Sequence, residues 1–186
     1  YAATYAKPAR VVKMAVGASD DEMRRVTAVE LPHESGIVSG VLDEDGAYGF
    51  FGTYTSPGVI ARVELETGRE PRPRGRLVLN EGENNLYVAL RDGPYAYFGT
   101  CVGDGPVLVK IHLPTFKRVS TIHLAGVSYL SAGAIEPAGP MDTVATAVLA
   151  TFTRPAMIVR VALSTEGGSE AEDVRDVSAT QLSLGE

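Results

Sequence analysis

The sequence has little of the material from which catalytic and disulfide-stabilised sites are usually built. Cys101 is the one cysteine among 186 residues, which excludes an internal disulfide framework and any metal site made of several cysteines. We interpret it as a small buried apolar residue rather than a nucleophile. The chain has three histidines, and no Gly-x-Ser-x-Gly motif accompanies its serines. We therefore predict no catalytic residue, no bound metal and no cofactor.

Two further absences concern membranes and nucleic acids. The apolar residues come in short runs, far below the roughly 20 consecutive residues that cross a bilayer as a helix, so we expect no membrane span. The formal net charge is −6 at pH 7, and the one basic cluster, Arg69 to Arg76, is short and interrupted by prolines. We interpret this cluster as a solvated loop rather than a binding patch. Because phosphate binding needs a concentrated basic surface, we expect no nucleic-acid partner.

No stretch shows the 3.6-residue period of an amphipathic helix, whereas short runs with a period of two recur along the chain. The segment Tyr95 to Leu113 combines an aromatic strand, a turn containing Gly, Asp and Pro, and a second strand, which together predict a β-hairpin. Nearly the same segment occurs at Tyr48 to Leu65. The sequence therefore predicts an all-β protein.

Aligning these hairpins shows a repeat with four copies, each about 48 residues long. One threonine position is shared by all copies: Thr4, Thr53, Thr100 and Thr151. In the third copy Cys101 follows this threonine. In the other three copies an aromatic residue follows it: Tyr5, Tyr54 and Phe152. A basic residue lies in the next strand of every copy: Lys13, Arg62, Lys110 and Arg160. With two further strand-like runs, each unit is predicted to contain four antiparallel strands.

Four-stranded units of roughly 40 to 50 residues, repeated head to tail, are typical of β-propeller blades. Stacking twisted sheets around an axis covers both faces of each sheet and leaves only short edges. The pattern aromatic-aromatic-Gly-Thr, Ser-Pro-Gly and Val-x-Lys/Arg-Val-x-Leu resembles the YVTN-like and surface-layer-type β-propeller repeats, especially a Tyr-Phe-Gly-Thr variety found in large secreted proteins. The resemblance covers Tyr1 to Ser178 and implies an extracellular or cell-surface location.

We predict one propeller segment over residues 1–186, with blade repeats at approximately 1–35, 36–83, 84–127 and 128–182. Strand a, nearest the axis, is assigned to the runs from Gly36, Leu86 and Tyr129. Strand b is assigned to the Phe-Gly-Thr runs, strand c to the runs with the basic residue, and strand d to the runs that begin near Arg25, Arg76 and Arg118. The first blade begins at strand b. We expect these four blades to belong to a larger ring of about six to eight blades.

The period of two also predicts which side chains are buried. Val63, Val109 and Ile111 should face the core between blades, so that the side chains of the basic column between them are solvated or snorkel to solvent. On this interpretation Lys110 should tolerate alanine, although a basic ring that binds anions is an alternative. Gly52 and Gly99 are expected to permit a bulge or close packing of a neighbouring sheet. The repeated threonines are expected to hydrogen-bond local backbone groups.

The d-to-a and b-to-c loops should gather at one mouth of the propeller, where such folds usually bind. The polar residues predicted there, as possible interaction loops, are His33, Glu34, Glu81, Glu83, Asn84, Asn85 and Asp104. They predict an acidic mouth suited to a cation, a sugar or a basic partner, with ordinary exposed turns as the alternative. His112 and His123 are predicted on neighbouring strands, where a cross-strand contact would form a weak metal site.

Two classes of function remain. We favour a non-enzymatic structural or protein-interaction propeller, a rigid module of a large surface or extracellular assembly that could be a filament or a homo-oligomer. Its partners would be other protein chains or further chain of the same propeller. The alternative is a metal-dependent, lactonase-like hydrolase with its site at the axial mouth. That alternative requires acidic or histidine side chains that converge on the axis from different blades.

Overall fold

The computed structural model describes residues 1–17, 23–65, 68–103, 105–139, 144–163 and 177–181. Within these ranges the protein is all-β, with fifteen strands in four antiparallel sheets. Three sheets contain four strands, and the sheet nearest the N-terminus contains three. These ranges contain no apolar helix of the length that crossing a membrane requires.

The sheets follow one another along the chain as blades one to four. Blade one contains β1 (Ala2–Ala3), β2 (Ala9–Ala15) and β3 (Arg24–Leu31). Blade two contains β4 (Ile37–Leu42), β5 (Tyr48–Thr53), β6 (Val59–Glu64) and β7 (Arg72–Val78). Blade three contains β8 (Leu86–Asp92), β9 (Tyr95–Thr100), β10 (Val107–His112) and β11 (Lys117–His123). Blade four contains β12 (Leu130–Glu136), β13 (Thr146–Thr151), β14 (Met157–Ala162) and β15 (Val177–Gln181).

Each sheet is a meander in which sequence neighbours pair. The first strands of consecutive complete blades also pack side by side, β4 against β8 and β8 against β12. These strands therefore line the axis, and the sheets succeed one another around it as propeller blades. The predicted all-β propeller and the order of strands a to d are confirmed. Membership of a larger ring stays a prediction.

Three hydrophobic clusters lie between consecutive blades. Val11 and Val63 belong to the cluster between blades one and two, and Val109 and Ile111 belong to the cluster between blades two and three. The third cluster joins blades three and four. Val63, Val109 and Ile111 are fully buried, as the period of two predicts. Burying each such side chain contributes about 1.5–3 kcal/mol, so the blades stabilise one another through these faces.

The predicted solvated basic column is wrong for blade three, where Lys110 is only 1% exposed. Blade three has a neighbour on each side, so both faces of β10 are covered. The Lys110 ammonium lies 4.3 Å from the ring centroid of Tyr95 and 5.9 Å from that of Tyr97. Replacing Lys110 by alanine is therefore expected to destabilise the protein rather than to be tolerated.

The predicted conformation of the basic cluster Arg69 to Arg76 is wrong for most of its length. We predicted a loop over Arg69 to Arg76, but β7 begins at Arg72. Arg74 pairs with Glu64 across the neighbouring strand, and Arg76 pairs with Glu34. β7 is the outer strand of blade two. Charged residues and prolines on such an edge oppose pairing with other chains.

The repeated threonines have one structural role in all four blades. Each hydroxyl oxygen accepts a hydrogen bond from an N–H in the first two residues of strand c, at 2.9–3.0 Å. The donors are Arg10, Val59, Val107 and Met157. The threonine therefore closes the b-to-c turn, as predicted.

The glycines before two of these threonines are sites of close packing. A Cβ on Gly52 would lie 2.9 Å from the Leu86 Cβ and 3.0 Å from the Phe98 ring, both in the next blade. A Cβ on Gly99 would lie 2.9 Å from Val88 and 3.1 Å from Leu130 of the next blade. Strand a is bulged opposite both glycines. Both parts of the prediction are confirmed.

Candidate interaction surface at the mouth

The b-to-c and d-to-a loops meet at one end of the blades. The Asn85 N–H donates to the Thr55 carbonyl at 3.1 Å, and the Tyr129 N–H donates to the Val102 carbonyl at 2.8 Å. The Gly36 N–H makes the corresponding bond to Ala6 at 3.0 Å. Each bond joins the entry of one blade to the b-to-c turn of the blade before it, and together these loops form the mouth.

Glu83, predicted as an exposed acid of the mouth, is buried and paired. The Arg118 guanidinium donates to its carboxylate from Nη2 at 2.7 Å and from Nε at 3.0 Å, and the Thr121 hydroxyl donates at 2.9 Å. The Asn80 N–H donates to the other oxygen at 2.9 Å. The Glu83 backbone carbonyl accepts the N–H of Gly58 from the preceding blade. One residue therefore ties two blades together.

Burial and hydrogen bonding act in opposite directions on this carboxyl group. Burial raises the pKa of Glu83, but the hydrogen bonds from Arg118, Asn80 and Thr121 and the charge of Arg118 outweigh it. The pKa therefore lies below its ordinary value of 4.5. Glu83 is therefore ionised at neutral pH, and its charge is already paired with that of Arg118.

Glu34 occupies the same place in the loop before blade two. Its carboxylate accepts a hydrogen bond from Arg76 Nε at 2.8 Å, and its carbonyl accepts the Ala9 N–H at 2.8 Å. Glu34 is buried, whereas its arginine is about half exposed, at 47% of the side chain. The two glutamates that we predicted as ligands of a partner are thus blade-to-blade connectors.

The other predicted residues are divided between surface and turn. His33 and Glu81 are exposed, whereas Asn84 and Asn85 are half-buried. Asn85 has a left-handed φ of 54° and its carbonyl accepts the Cys101 N–H, so it shapes the turn. Asp104 lies outside the described residues. Glu34 and Glu83 therefore add no unpaired charge to the mouth, and an interaction role for the other residues stays a prediction.

Aromatic side chains occupy the mouth instead. The aromatic row consists of Tyr5, Tyr54, Tyr87, Tyr129 and Phe152, all of them exposed. Tyr5 is 65% and Phe152 is 83% exposed. Large apolar groups are usually scattered singly over the surface of a monomer, so a concentration of them marks a contact site.

The row crosses the blades through direct contacts. The ring centroids of Tyr5 and Tyr54 are 5.8 Å apart, and those of Tyr54 and Tyr87 are 5.7 Å apart with the rings edge to face. A Cβ on Gly103 would lie 2.9 Å from the Tyr129 hydroxyl, so this ring reaches back to the turn of blade three. Such mutual contacts fix the rings before any partner binds, which lowers the entropy lost on binding.

The blade repeat explains the position of part of the aromatic row. In blades two to four the residue after the threonine lies just beyond strand b, and its N–H donates to the residue before strand a. These bonds join Tyr54 to Gly36, Cys101 to Asn85 and Phe152 to Tyr129, at 2.7–2.8 Å. The three acceptors have left-handed φ values of 58°, 54° and 51°. The aromatic residue after the threonine is visible in the repeat, but the repeat alone assigns it no function.

Cys101 replaces the aromatic residue in blade three and is half-buried. Burial raises the pKa of the Cys101 thiol, so the thiol is protonated at neutral pH. Burial, followed by the proximity of Cys101, Tyr54 and Tyr5, raises the pKa of Tyr87. Cys101 is thus less buried than predicted, and the raised pKa values keep its thiol and the Tyr87 hydroxyl neutral.

The cross-strand contact that a metal site at His112 and His123 would need does not form. His112 is opposite Lys117 and His123 is opposite Val107, at the two ends of the β10–β11 pair. His112 Nδ1 is instead 2.8 Å from the Thr115 hydroxyl. Among the residues that the structure describes, no group of three or more His, Cys, Asp or Glu side chains is arranged to hold a metal ion.

No family model and no curated protein matches this sequence. Among solved structures, the chain is similar to the β-propeller domain of Cps50 (Swd1) from Myceliophteria thermophila, with a TM-score of 0.48 and 15% sequence identity. The match covers 77% of this chain and 42% of that one, so this chain spans less than half the length of the solved domain.

Proposed function

We propose that this chain is a non-enzymatic protein-interaction module that binds a partner polypeptide at the mouth through the aromatic row. The observation that carries the proposal is the continuous line of exposed rings from Tyr5 through Tyr54 to Tyr87, extended by Tyr129 and Phe152. Aromatic residues are enriched at protein interfaces, and tyrosine is one of the three residues that most often dominate binding energy.

The surroundings of the row support a largely apolar contact. Glu34 and Glu83, the buried glutamates of the mouth, are paired with arginines, so their charges need not be desolvated when a partner binds. Each ring that becomes covered contributes about 25 cal/mol per Å² of apolar surface removed from water. The hydroxyl groups of the tyrosines remain able to donate to a partner's backbone carbonyls.

We also propose that the module acts in an extracellular or cell-surface assembly, where its partners are other protein chains or further chain of the same propeller. The support is the resemblance of the repeats to YVTN-like and surface-layer-type sequences. Labelling of intact and permeabilised cells with an antibody tests the location. Equal labelling of the two preparations is expected, and labelling that needs permeabilisation would contradict it.

Site-specific photo-crosslinking tests the mouth as the binding surface. A photoreactive phenylalanine analogue is placed at Tyr87 or Phe152, and a matched control is placed at Val78, which is 49% exposed on the outer strand of blade two. We expect one polypeptide to crosslink at both mouth positions but not at Val78. Mass spectrometry then identifies it.

Binding of the crosslinked polypeptide is then measured with purified variants. Tyr54→Ala and Phe152→Ala should each weaken binding about 10-fold or more, which corresponds to about 1.4 kcal/mol. Val78→Ala should leave affinity unchanged. Unaltered binding by a Tyr54→Ala/Phe152→Ala double variant that keeps its melting temperature would show that the mouth is not the interface.

A further inference from the structure

A separate cavity lies between blades two and three at the end opposite the mouth. Its volume is about 270 Å³, just below the usual range of small-molecule pockets, about 300–1,000 Å³. The a-to-b turns of both blades and the c-to-d turn of blade three enclose it. Arg62 and Tyr48 form part of its wall. The cavity therefore has the size of a site for a small metabolite.

Arg62 brings a guanidinium group to this cavity. Its Nε is buried, and no described group accepts a hydrogen bond from it. The guanidinium is held 4.0 Å from the centroid of the Tyr48 ring, with Phe50 at 5.8 Å and Phe116 at 5.9 Å. Stacking positions the guanidinium without using its donors. Because Nε is buried while Arg62 as a whole is partly exposed, a ligand in the cavity would pair with the terminal nitrogens of the guanidinium.

The equivalent residue of the next blade shows that the cavity is not a general feature of the repeat. Lys110 lies in the same column, also over an aromatic ring, at 4.3 Å from Tyr95. It is 1% exposed, so the blades close over it. Around Arg62, which is only partly buried, the same arrangement is left open.

The rim of the cavity carries charge of the opposite sign. Glu44 and Asp45 are exposed on the a-to-b turn of blade two and line the cavity. Asp43 is already used, because its Oδ1 accepts the Tyr48 N–H at 3.0 Å. A simple anion that approached Arg62 would be repelled by Glu44 and Asp45. A ligand that carries an anionic and a cationic group would satisfy both.

We propose that this cavity binds a free α-amino acid with an apolar side chain. The carboxylate pairs with the Arg62 guanidinium, which is suited to bind it with two parallel hydrogen bonds. The ammonium group lies against Glu44 and Asp45. The apolar side chain contacts Pro94, Leu113 and Pro114, which line the same cavity. The site is independent of the mouth and of the proposed function.

Three probes of matched shape test the proposal on the full 186-residue chain. Leucine has both charged groups, 4-methylpentanoate lacks the amine, and 3-methylbutylamine lacks the carboxylate. Binding is measured by titration calorimetry, and amide chemical shifts locate the site at Tyr48 and Gly93. We expect leucine to bind at least 10-fold more tightly than either of the other probes, because each of them loses one of the two pairings.

Variants separate binding from folding. Asp45→Asn and Glu44→Gln alter exposed side chains and should each weaken leucine binding several-fold without changing the melting temperature. Arg62→Lys keeps the charge but loses the planar group, and we expect at least a 10-fold loss. Arg160→Ala, in the same column of blade four, is the matched control and should leave binding unchanged.

Three results would overturn the proposal. The first is an absence of binding by leucine at millimolar concentration. The second is binding of 4-methylpentanoate as tight as that of leucine, which would assign the cavity to simple carboxylates. The third is leucine binding that is unaffected by both Arg62→Lys and Asp45→Asn.

Discussion

The loops that lead into blades three and four adopt the same turn but bury opposite kinds of side chain. In the first, Glu83 lies two residues before the left-handed Asn85, and in the second Val127 lies two residues before the left-handed Tyr129. The N–H of each residue closes a turn, Glu83 to Asn80 at 3.1 Å and Val127 to Leu124 at 3.3 Å. Glu83 is 6% and Val127 is 2% exposed.

The difference shows that the turn accepts either kind of buried side chain, provided that a polar one is hydrogen-bonded and an apolar one is packed. The Glu83 carboxylate accepts hydrogen bonds from Arg118, Thr121 and the Asn80 N–H. The Val127 side chain packs in the cluster between blades three and four. Replacing a buried ion pair by well-packed apolar residues is often neutral, but removing one partner is costly.

Val127→Glu should give the largest effect. The new carboxylate would lie among apolar side chains such as Leu124 and Leu130, without the arginine that Glu83 has. We expect a loss of about 3–5 kcal/mol in the free energy of unfolding, measured by urea denaturation. Val127→Ala, which removes volume without adding charge, is the control and should cost less. Equal losses in the two variants would contradict the rule.

Glu83→Ala should cost about 3 kcal/mol, because it leaves the partly buried Arg118 without its main partner. Glu83→Val combined with Arg118→Met imitates the apolar loop before blade four and should recover most of the loss. A double-mutant cycle over these positions measures the coupling. If the double variant is less stable than Glu83→Ala, the two loops do not follow the same rule.

Lys110→Ala should destabilise the protein by about 2 kcal/mol, because it leaves a cavity where a buried stem and an ammonium–ring contact were. Lys110→Met keeps most of the volume and should cost less. Arg160→Ala, at the exposed position of the same column, should change the midpoint of urea denaturation little. A silent Lys110→Ala would restore our original prediction of a solvated column.

The smallest effect concerns pH. The pKa of Glu83 is lower in the folded protein than its ordinary value of 4.5. Ionisation of Glu83 therefore stabilises the fold at pH values above 4.5. The contribution is lost as pH falls below 4.5 through the folded pKa. The difference in unfolding free energy between the protein and Glu83→Gln should therefore be constant near neutrality and shrink in acid. A difference that grows in acid would mean that the pKa is raised.

The strand order and the buried faces could be predicted because they depend on local, repeated patterns. The threonine and glycine positions, and the alternation through Val109 and Ile111, each reflect contacts within one blade or with its neighbour. Burial of Lys110 could not be predicted from alternation alone. A period of two separates the two faces of a strand, but it does not tell whether the second face is also covered.

The mouth was predicted less well because its residues act through partners distant in sequence. Glu83 and Arg118 are 35 residues apart, and Glu34 and Arg76 are 42 apart, so nothing local shows that these acids are neutralised. Tyr5, Tyr54 and Phe152 of the aromatic row had a local signal, because each follows the repeated threonine, whereas Tyr87 and Tyr129 had none. That Tyr5, Tyr54 and Tyr87 touch across blades depends on the curvature of the array, which the repeat does not specify.

The threonine hydroxyl that closes each b-to-c turn also has a consequence for how the protein folds. In every blade this bond joins residues only six or seven positions apart, so the central hairpin can form before any contact between blades. Local contacts of this kind lower the contact order and speed folding. We expect these four hairpins to form early and the blade interfaces to form afterwards, neighbour by neighbour, as in other repeat proteins.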